Sequence, residues 1–570
     1  MQKLFEDTRL LDKACKEKYS LTEDILMENA AAALEASVLA AAGKEDFPEN
    51  GFVLILCGSG DNGGDGYTLA RRLSGKIAVK AVEVLAAKSP ACIRQKERAE
   101  KAGVCVMQPA DARVTGATCV SQDAFVTKET RVCSAAQSGE AGVVGDSCET
   151  GDARICCAGG EVSAGGLFEK AAVIVDCIFG SGFHGEPSAE IAAIISAANK
   201  SRAYRIACDV PSCLSSAART NDHNAENLVF KADCTVTMGA LKTLLYEDYA
   251  KDYTGKIVCA PLGVSSAVFE SGGSEDAFLL ESTDFCPPER KRQNAHKGTF
   301  GHGAVICGEK PGAGIIAATA CFAFGAGLVT LVSDEGRSLL PKMPAELMLS
   351  ETLPEKTTAF ALGMGLGRTD NAFSKAEKLL GEAAEKKLPC VLDADIFYYP
   401  AIRSFLQSRS GSPALNSEKS PALYVGTVLT PHPKEFQQLW KTCGLGEISM
   451  EEILLKKREL SAEFCRKFPG IVLVLKGANP VISVYLSSDG TDDGISLKQY
   501  INPLGTVALA KGGSGDVLSG LICALLAQGY SALDASIQAS LAHSLASRNL
   551  TSSYGMTPFM LIDAVRTLKV

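Results

Sequence analysis

Short apolar runs alternate along this chain with longer stretches of helical apolar periodicity, the signature of parallel strands joined by crossover helices. In the first half the strand-like runs are Phe52–Cys57, Lys80–Leu85, Ala172–Asp176, Tyr204–Cys208 and Ala232–Met238. In the second half they are Gly303–Cys307, Gly327–Val332, Ala359–Leu362, Cys390–Leu392, Thr427–Leu429, Val472–Leu475 and Val481–Val484. The stretch 268–298, with SGGSED and CPPERKRQ, has little periodic apolar content. A linker is therefore placed at 268–290, between domains 1–267 and 291–570, and the predicted class is α/β throughout. Two segments interrupt the pattern: a cysteine-rich insert at 109–166 and a polar surface loop at Arg403–Ala422. Gly312–Val332 is uncharged and long enough to suggest a membrane span. Gly325-Ala326-Gly327 splits it, so it reads as a buried helix followed by a strand.

Composition narrows the function. Of the 570 residues, 46% are hydrophobic and 22% charged, enough apolar material for more than one core. The net charge of −9 argues against a nucleic-acid binder, which needs clustered Lys and Arg. Small anions remain possible ligands, because backbone N–H groups at helix starts hold them without basic side chains. The opening MQKLFEDTRLLDK lacks the apolar core of a secretion signal. The 21 cysteines show no zinc-like spacing, so reduced thiols in the cytoplasm are expected.

The sharpest local signal in the first half is the turn Gly58-Ser59-Gly60-Asp61-Asn62-Gly63-Gly64-Asp65-Gly66, directly after a strand and before a helical pattern. Such a turn exposes backbone N–H groups. Asp61 and Asp65 would repel a bare phosphate, so ribose hydroxyls, a cation or a polar ring are the expected ligands. Asp176 and Asp209 end two further strands, the first followed by Gly180-Ser181-Gly182 and the second by Pro211-Ser212. Ligands in open α/β sheets sit off the carboxyl ends of strands, so these acids predict one shared site.

The series DNGGDG, VDCIFGSG, CDVPS and ADCTVTMGALK resembles the NAD(P)H-hydrate epimerase family over most of residues 1–265. The resemblance implies a Rossmann-like three-layer fold that interconverts the R and S hydrates of NADH or NADPH at carbon 6. It implies that Asp61, Asn62, Gly63, Gly64 and Asp65, with Gly180, Ser181, Gly182, Phe183, His184, Gly185 and Glu186, contact the hydrate. It also implies that Asn62, Asp176 and Ser212 hold a potassium ion and that Asp209 is the acid–base group. The family's usual glycine after Pro-Ser is Cys213 here.

In the second half, Lys511-Gly512-Gly513-Ser514-Gly515-Asp516 leads into an apolar helix, a place for an anion hole with an acid beside it. Leu475-Lys476-Gly477-Ala478 and Thr430-Pro431-His432 follow other strands. Together with HKG, GAGLVT, PAELM, GMGLG, DAD, TPHPKE and GGSGDVLSG these motifs resemble the ADP/ATP-dependent NAD(P)H-hydrate dehydratase family over roughly 290–565. That resemblance implies a ribokinase-like α/β domain. Ala313, Gly365, His432 and Asp516 would then contact the hydrate. Lys476, Gly477, Ala478, Asn479, Pro480 and Gly515 would hold ADP with magnesium, and Asp516 would activate the carbon-6 hydroxyl. Met364, Tyr398 and Pro480 stand where the family usually has Pro, Asn and Thr.

The expected protein is a bifunctional repair enzyme, an isomerase fused to a lyase. Its expected partners are the hydrated cofactors and ADP, with no nucleic acid or membrane, in a homo-oligomer. Two alternatives stay open: a dehydratase with a non-catalytic first domain, and a ribokinase-type small-molecule kinase.

Overall fold

The computed structural model describes residues 1–43, 51–109, 165–217, 228–410, 426–487 and 495–569. Nearly all of the insert expected at 109–166 lies outside them, as does the end of the expected loop Arg403–Ala422. The start of that loop is helical instead, as Ala401–Arg409. Ile402, Phe405 and Leu406 lie at helical spacing and are buried, which outweighs the polar residues between them.

The first half is a sheet of seven parallel strands. Their spatial order is Cys105–Met107, Val79–Glu83, Phe52–Cys57, Ala171–Cys177, Tyr204–Cys208, Cys234–Met238 and Lys256–Ala260. All six residues of Phe52–Cys57 are buried because both faces of the sheet are covered. Val53, Ile55 and Cys57 pack with Ala31, Leu34 and Val38 of helix Glu23–Ala42 and with Tyr67 and Leu69 of helix Asp61–Leu73. Leu54 and Leu56 face Ile191, Ile194 and Ile195 of helix Ala189–Lys200. Helix Glu23–Ala42 is long and apolar enough to cross a membrane, and here its Ala/Leu/Val stripe lies on this sheet. The strand order reverses between Phe52–Cys57 and Ala171–Cys177, which opens a crevice at their carboxyl ends.

The second sheet has eleven strands, mostly parallel, and covers both faces in the same way. Along His302–Ile306, Val305 joins the core under helices Pro311–Ala323 and Ser514–Ala527. Ala304 and Ile306 join the core under helices Asp370–Glu385 and Pro433–Thr442. The uncharged stretch resolves into helix Pro311–Ala323 and strand Leu328–Val332, as the glycine break predicts. Here the order reverses between His302–Ile306 and Ala359–Leu362.

Several strands have no clear sequence signal. Among them, Ala277–Leu279 lies within the stretch expected to link the domains, and it pairs with Ile495–Ile501 of the second sheet. Gln2–Leu4 then adds antiparallel to Ala277–Leu279, so the start of the chain is the edge of the second sheet. Leu4, Val210, Leu241, Ala277, Val481 and Ile501 bury one another in a core shared by both halves.

Leu4 is fully buried in that shared core. Leu4→Ala is expected to cost about 2–5 kcal/mol, read as a lower urea midpoint for the transition that separates the halves.

Candidate active sites

In the first half, the turn after Phe52–Cys57 and the turn after Ala171–Cys177 touch across the crevice. A side chain at Gly58 would bring its Cβ within 1.8 Å of the Ile178 carbonyl oxygen, so only glycine lets the two turns approach. Asn62, in the first turn of helix Asp61–Leu73, donates from Nδ2 to the Phe179 carbonyl at 3.0 Å. Asp176 is buried at the end of its strand. It accepts hydrogen bonds from the Ser212 hydroxyl (2.7 Å), the Ser212 N–H (2.8 Å) and the Ile178 N–H (3.1 Å). Those donors are all neutral, and burial, only partly offset by them, pushes the carboxyl up to about 6. Asn62, Asp176 and Ser212 thus gather around Phe179, with amide, hydroxyl, carbonyl and carboxylate oxygens that fit a hard monovalent cation.

Asp209 follows strand Tyr204–Cys208 with φ of 67°, a left-handed conformation that aims its carboxylate at the same crevice. It accepts from Lys242 Nζ at 2.7 Å, from the Met238 N–H at 3.2 Å and from the Ser181 N–H at 3.4 Å. Burial alone would raise its pKa. The Lys242 ammonium, together with the Met238 and Ser181 N–H groups, outweighs burial and holds the carboxyl below the usual range. Asp65 has no comparable cation. Burial pushes it well above the carboxylate range, and the negative charges of Asp209 and Asp61 add to the push. The charged form is therefore favoured at Asp209 and the protonated form at Asp65, a division suited to proton transfer.

Gly180 and Ser181 lie against Asp209 and Asn62. Phe183 stacks on Phe179 with ring centroids 3.9 Å apart. Asp61, Gly182, His184, Gly185 and Glu186 stand exposed at the rim, where Asp61 accepts a hydrogen bond from the Ser89 hydroxyl at 2.8 Å. Gly63 and Gly64 are buried inside the helix start. Lys242, only 3% exposed, escapes a motif reading centred on acids and glycines. It closes the family-like run ADCTVTMGALK, but nothing in that run shows that it meets Asp209. Asp12 is a second residue without a sequence signal. Burial pushes its carboxyl up to about 6, Lys242 pulls it down and Asp209 adds to the rise. Cys213, standing in for a glycine, adopts φ of 67° while buried, a strain of about 1–2 kcal/mol that the turn next to Ser212 carries.

The second site is a cavity of about 830 Å³, within the range of small-ligand pockets. Helix Ser514–Ala527 points its N-terminal turn into it, with Gly513 in the left-handed region and Asp516 in the first turn. Lys476, after strand Ile471–Leu475, lies 2.9 Å from Asp393 Oδ1 and 3.8 Å from Glu435 Oε2. Asp393 also accepts from the Ser519 hydroxyl at 2.7 Å. Burial raises Asp516 to about 7, Asp393 pushes it further and Lys476 opposes. Burial likewise raises Asp393, whereas His432 and Lys476 hold Glu435 below its usual value against burial. His543 donates from Nε2 to the Ser514 carbonyl (2.9 Å), and burial lowers its pKa to about 4, so it is neutral at physiological pH.

Of the residues expected here, His432, Lys476, Gly477, Ala478, Pro480, Gly515 and Asp516 line this cavity. Ala313 and Gly365 meet each other where the strand order reverses, beside the Lys310 N–H to Gly365 carbonyl hydrogen bond (2.9 Å), and lie outside the cavity wall. Asn479 is turned from the cavity, its side-chain N–H donating to the Tyr246 carbonyl at 2.9 Å. Asp393 and Glu435 belong to motifs visible in the sequence, but nothing there shows that they flank Lys476. The described residues form no cluster of three or more His, Cys, Asp or Glu able to hold a metal. A magnesium ion fits here only as a companion of phosphate oxygens, and the helix start with Lys476 suits those phosphates.

Two α/β sheets, each with ionisable acids at its carboxyl end beside a lysine paired to one of them, define a fused enzyme with two acid–base sites. Residues 304–568 match the NAD(P)H-hydrate dehydratase family, and residues 23–244 match the family of the YjeF-related protein N-terminus. The chain is 39% identical over 570 residues to the bifunctional NAD(P)H-hydrate repair enzyme Nnr of Helicobacter pylori, covering 100% of each. It is 33% identical over 417 residues to the Coxiella burnetii enzyme of the same name, covering 71% of this chain and 76% of that one. The crystal structure of ADP/ATP-dependent NAD(P)H-hydrate dehydratase from Bacillus subtilis, co-crystallised with ATP and Mg2+, is 23% identical. It covers 51% of this chain and 97% of its own, with a TM-score of 0.38. The chain belongs to the bifunctional NAD(P)H-hydrate repair enzyme family.

Lys242 is what keeps Asp209 ionised, so Lys242→Met should raise the Asp209 pKa. The acid limb of the first-site pH–rate profile should then move to higher pH, and a limb left where it was would contradict the assignment.

Proposed function

We propose that this protein repairs hydrated NADH and NADPH in two steps, epimerising the R and S hydrates in its first half and dehydrating the S form with ADP in its second. The reading is carried by one observation. Each half, in a chain matched end to end by a relative of this family, opens a glycine-rich crevice onto acids in which burial and a paired lysine oppose each other.

In the first half, Asp65 can give a proton to the carbon-6 oxygen as the carbon–oxygen bond opens and the ring nitrogen lone pair forms an iminium, releasing water. Asp209, ionised at neutral pH, can take a proton from the water that re-adds to the other face of carbon 6. Asn62, Asp176, Ser212 and the Phe179 carbonyl would hold potassium, which supplies a countercharge for the buried carboxylate and for developing negative charge. Phe179 and Phe183 give the crevice an apolar stacked wall against which a ring can lie.

In the second half, Asp516 has a pKa close to physiological pH and can accept the proton of the carbon-6 hydroxyl. That oxygen attacks the terminal phosphoryl group of ADP, forming one oxygen–phosphorus bond as the bond to AMP breaks. Phosphate then leaves carbon 6 with the oxygen. The ring nitrogen lone pair drives its departure, and a proton leaves the neighbouring carbon to restore the dihydronicotinamide. Lys476 and the N–H groups at the start of helix Ser514–Ala527 hold the negative phosphates in place. Magnesium bound with the nucleotide supplies further countercharge.

An R/S mixture of NADH hydrate with ADP and magnesium tests both steps through the absorbance of restored NADH. Full conversion is expected for the wild type, and Asp209→Ala should stop once the S form is consumed. Asp516→Asn should lower kcat by roughly 10²–10⁴-fold. Because Asp516 acts as its carboxylate, wild-type kcat should fall as pH drops through about 7. A stable phosphorylated product would instead identify a small-molecule kinase.

A further inference from the structure

The cavity of the second half is completed by residues of the first. The segment Tyr246–Asp252 follows the last-but-one strand of the first sheet and reaches over the loops that wall the nucleotide cavity. Lys251 Nζ lies 2.8 Å from the Ala478 carbonyl, 3.0 Å from Asn479 Oδ1, 3.2 Å from the Pro503 carbonyl and 2.8 Å from the Gly505 carbonyl. One ammonium thus ties together two separate loops of the cavity, Lys476–Pro480 and Pro503–Gly505.

Asp248 makes the second tie. Its Oδ1 accepts the Asn479 backbone N–H at 2.8 Å, and both its oxygens accept from Lys457 Nζ at 3.0 and 2.9 Å. Lys457 is only 3% exposed and donates in turn to the Asn479 carbonyl at 2.9 Å. This pair packs so closely on the loop that a Cβ at Gly477 would lie 2.1 Å from Asp248 Oδ2 and 2.3 Å from Lys457 Nζ. A side chain at that position would have to displace this ion pair between the halves.

We propose that Lys251 and Asp248 are positioning residues for the dehydration step, with the epimerase half holding the adenine-nucleotide loop in its binding shape. This rests on the assignment of the cavity to ADP. Neither side chain is needed at Asp516 or His432, so their loss acts on nucleotide affinity and leaves the proton-transfer groups in place. Without the ammonium, four oxygens lose their common donor and the two loops are free to part. The loop geometry that ADP needs must then be regained at the expense of binding energy. The first domain thereby serves both reactions, one through its own crevice and the other through its neighbour's.

The test uses the full chain as wild type, Lys251→Met and Asp248→Asn. Lys251→Met keeps the aliphatic stem and removes the charge. Asp248→Asn keeps an acceptor for the Asn479 N–H and lowers the hold on Lys457. ADP binding is measured by calorimetry, beside separate rates of dehydration and epimerisation. Lys251→Met should weaken ADP binding and raise its KM by roughly tenfold or more, with kcat within about twofold of wild type. Epimerisation should be unchanged, and Asp248→Asn should show a smaller shift in the same direction. Unaltered ADP affinity and KM in a folded Lys251→Met protein would overturn the proposal. Equal losses in kcat and epimerisation would also overturn it, because they report general damage. A wild type that binds no ADP would remove the assignment of the cavity itself, and the proposal with it.

Discussion

A carboxylate taken out of water must find a cation or a set of hydrogen-bond donors, and in both halves one lysine meets part of that need. Lys242 lies 2.7 Å from Asp209, and Lys476 lies 2.9 Å from Asp393. In the first crevice Lys242 favours the charged form of Asp209, and in the second Lys476, with His432, favours that of Glu435. Burial leaves Asp65, Asp393 and Asp516 with raised pKa values. The acid–base character of both sites therefore comes from burial opposed unevenly by one positive charge. The backbone serves this arrangement: Asp209 adopts a left-handed conformation, and Gly513 turns the chain so that Asp516 enters at the helix start.

Much of this was legible in the sequence. Strands such as Phe52–Cys57 and Cys390–Leu392 are apolar throughout because helices cover both faces, and that pattern needs no partner to be recognised. The glycine turns and the acids at strand ends are also local signals, and the sheet brings Asn62, Asp176, Asp209 and Ser212 together as expected of strand ends in one sheet. The shortest strands at and beside the sheet edge gave no such signal. Gln2–Leu4 and Ala277–Leu279 are each three residues long, too short to show a period, and their place is decided by partners far away in sequence. The same holds for Lys242 and Lys251. A single lysine among apolar residues has the look of a solvated side chain until the fold closes around it.

The two halves are less separable than their motifs suggest. The stretch with the composition of a linker carries a strand of the second sheet, and the first residues of the chain form that sheet's edge. Val210 and Leu241 sit in the shared core, next in sequence to Asp209 and Lys242 respectively. Buried charge follows the same boundary. Arg458 of the second half faces Glu247 of the first at 3.7 Å, and Lys457 faces Asp248 at 2.9 Å. Groups of this kind are costly to expose singly, so they fix the register in which the halves meet.

The edge position of Gln2–Leu4 also governs the order of assembly during synthesis. Gln2 and Glu281, hydrogen bonded in the finished protein, are 279 residues apart in the chain. At the roughly 5–20 residues per second of translation, the first strand waits on the order of tens of seconds for its partner to be made. The seven-stranded sheet needs none of those first residues for its own ladder and can close during the wait. An unpaired strand edge is a hazard while it lasts, and three residues, one of them Lys3, make it a small one. The second domain, made after its partner strand Ala277–Leu279, thus forms against a first sheet that can already be closed and a strand ready to join its edge.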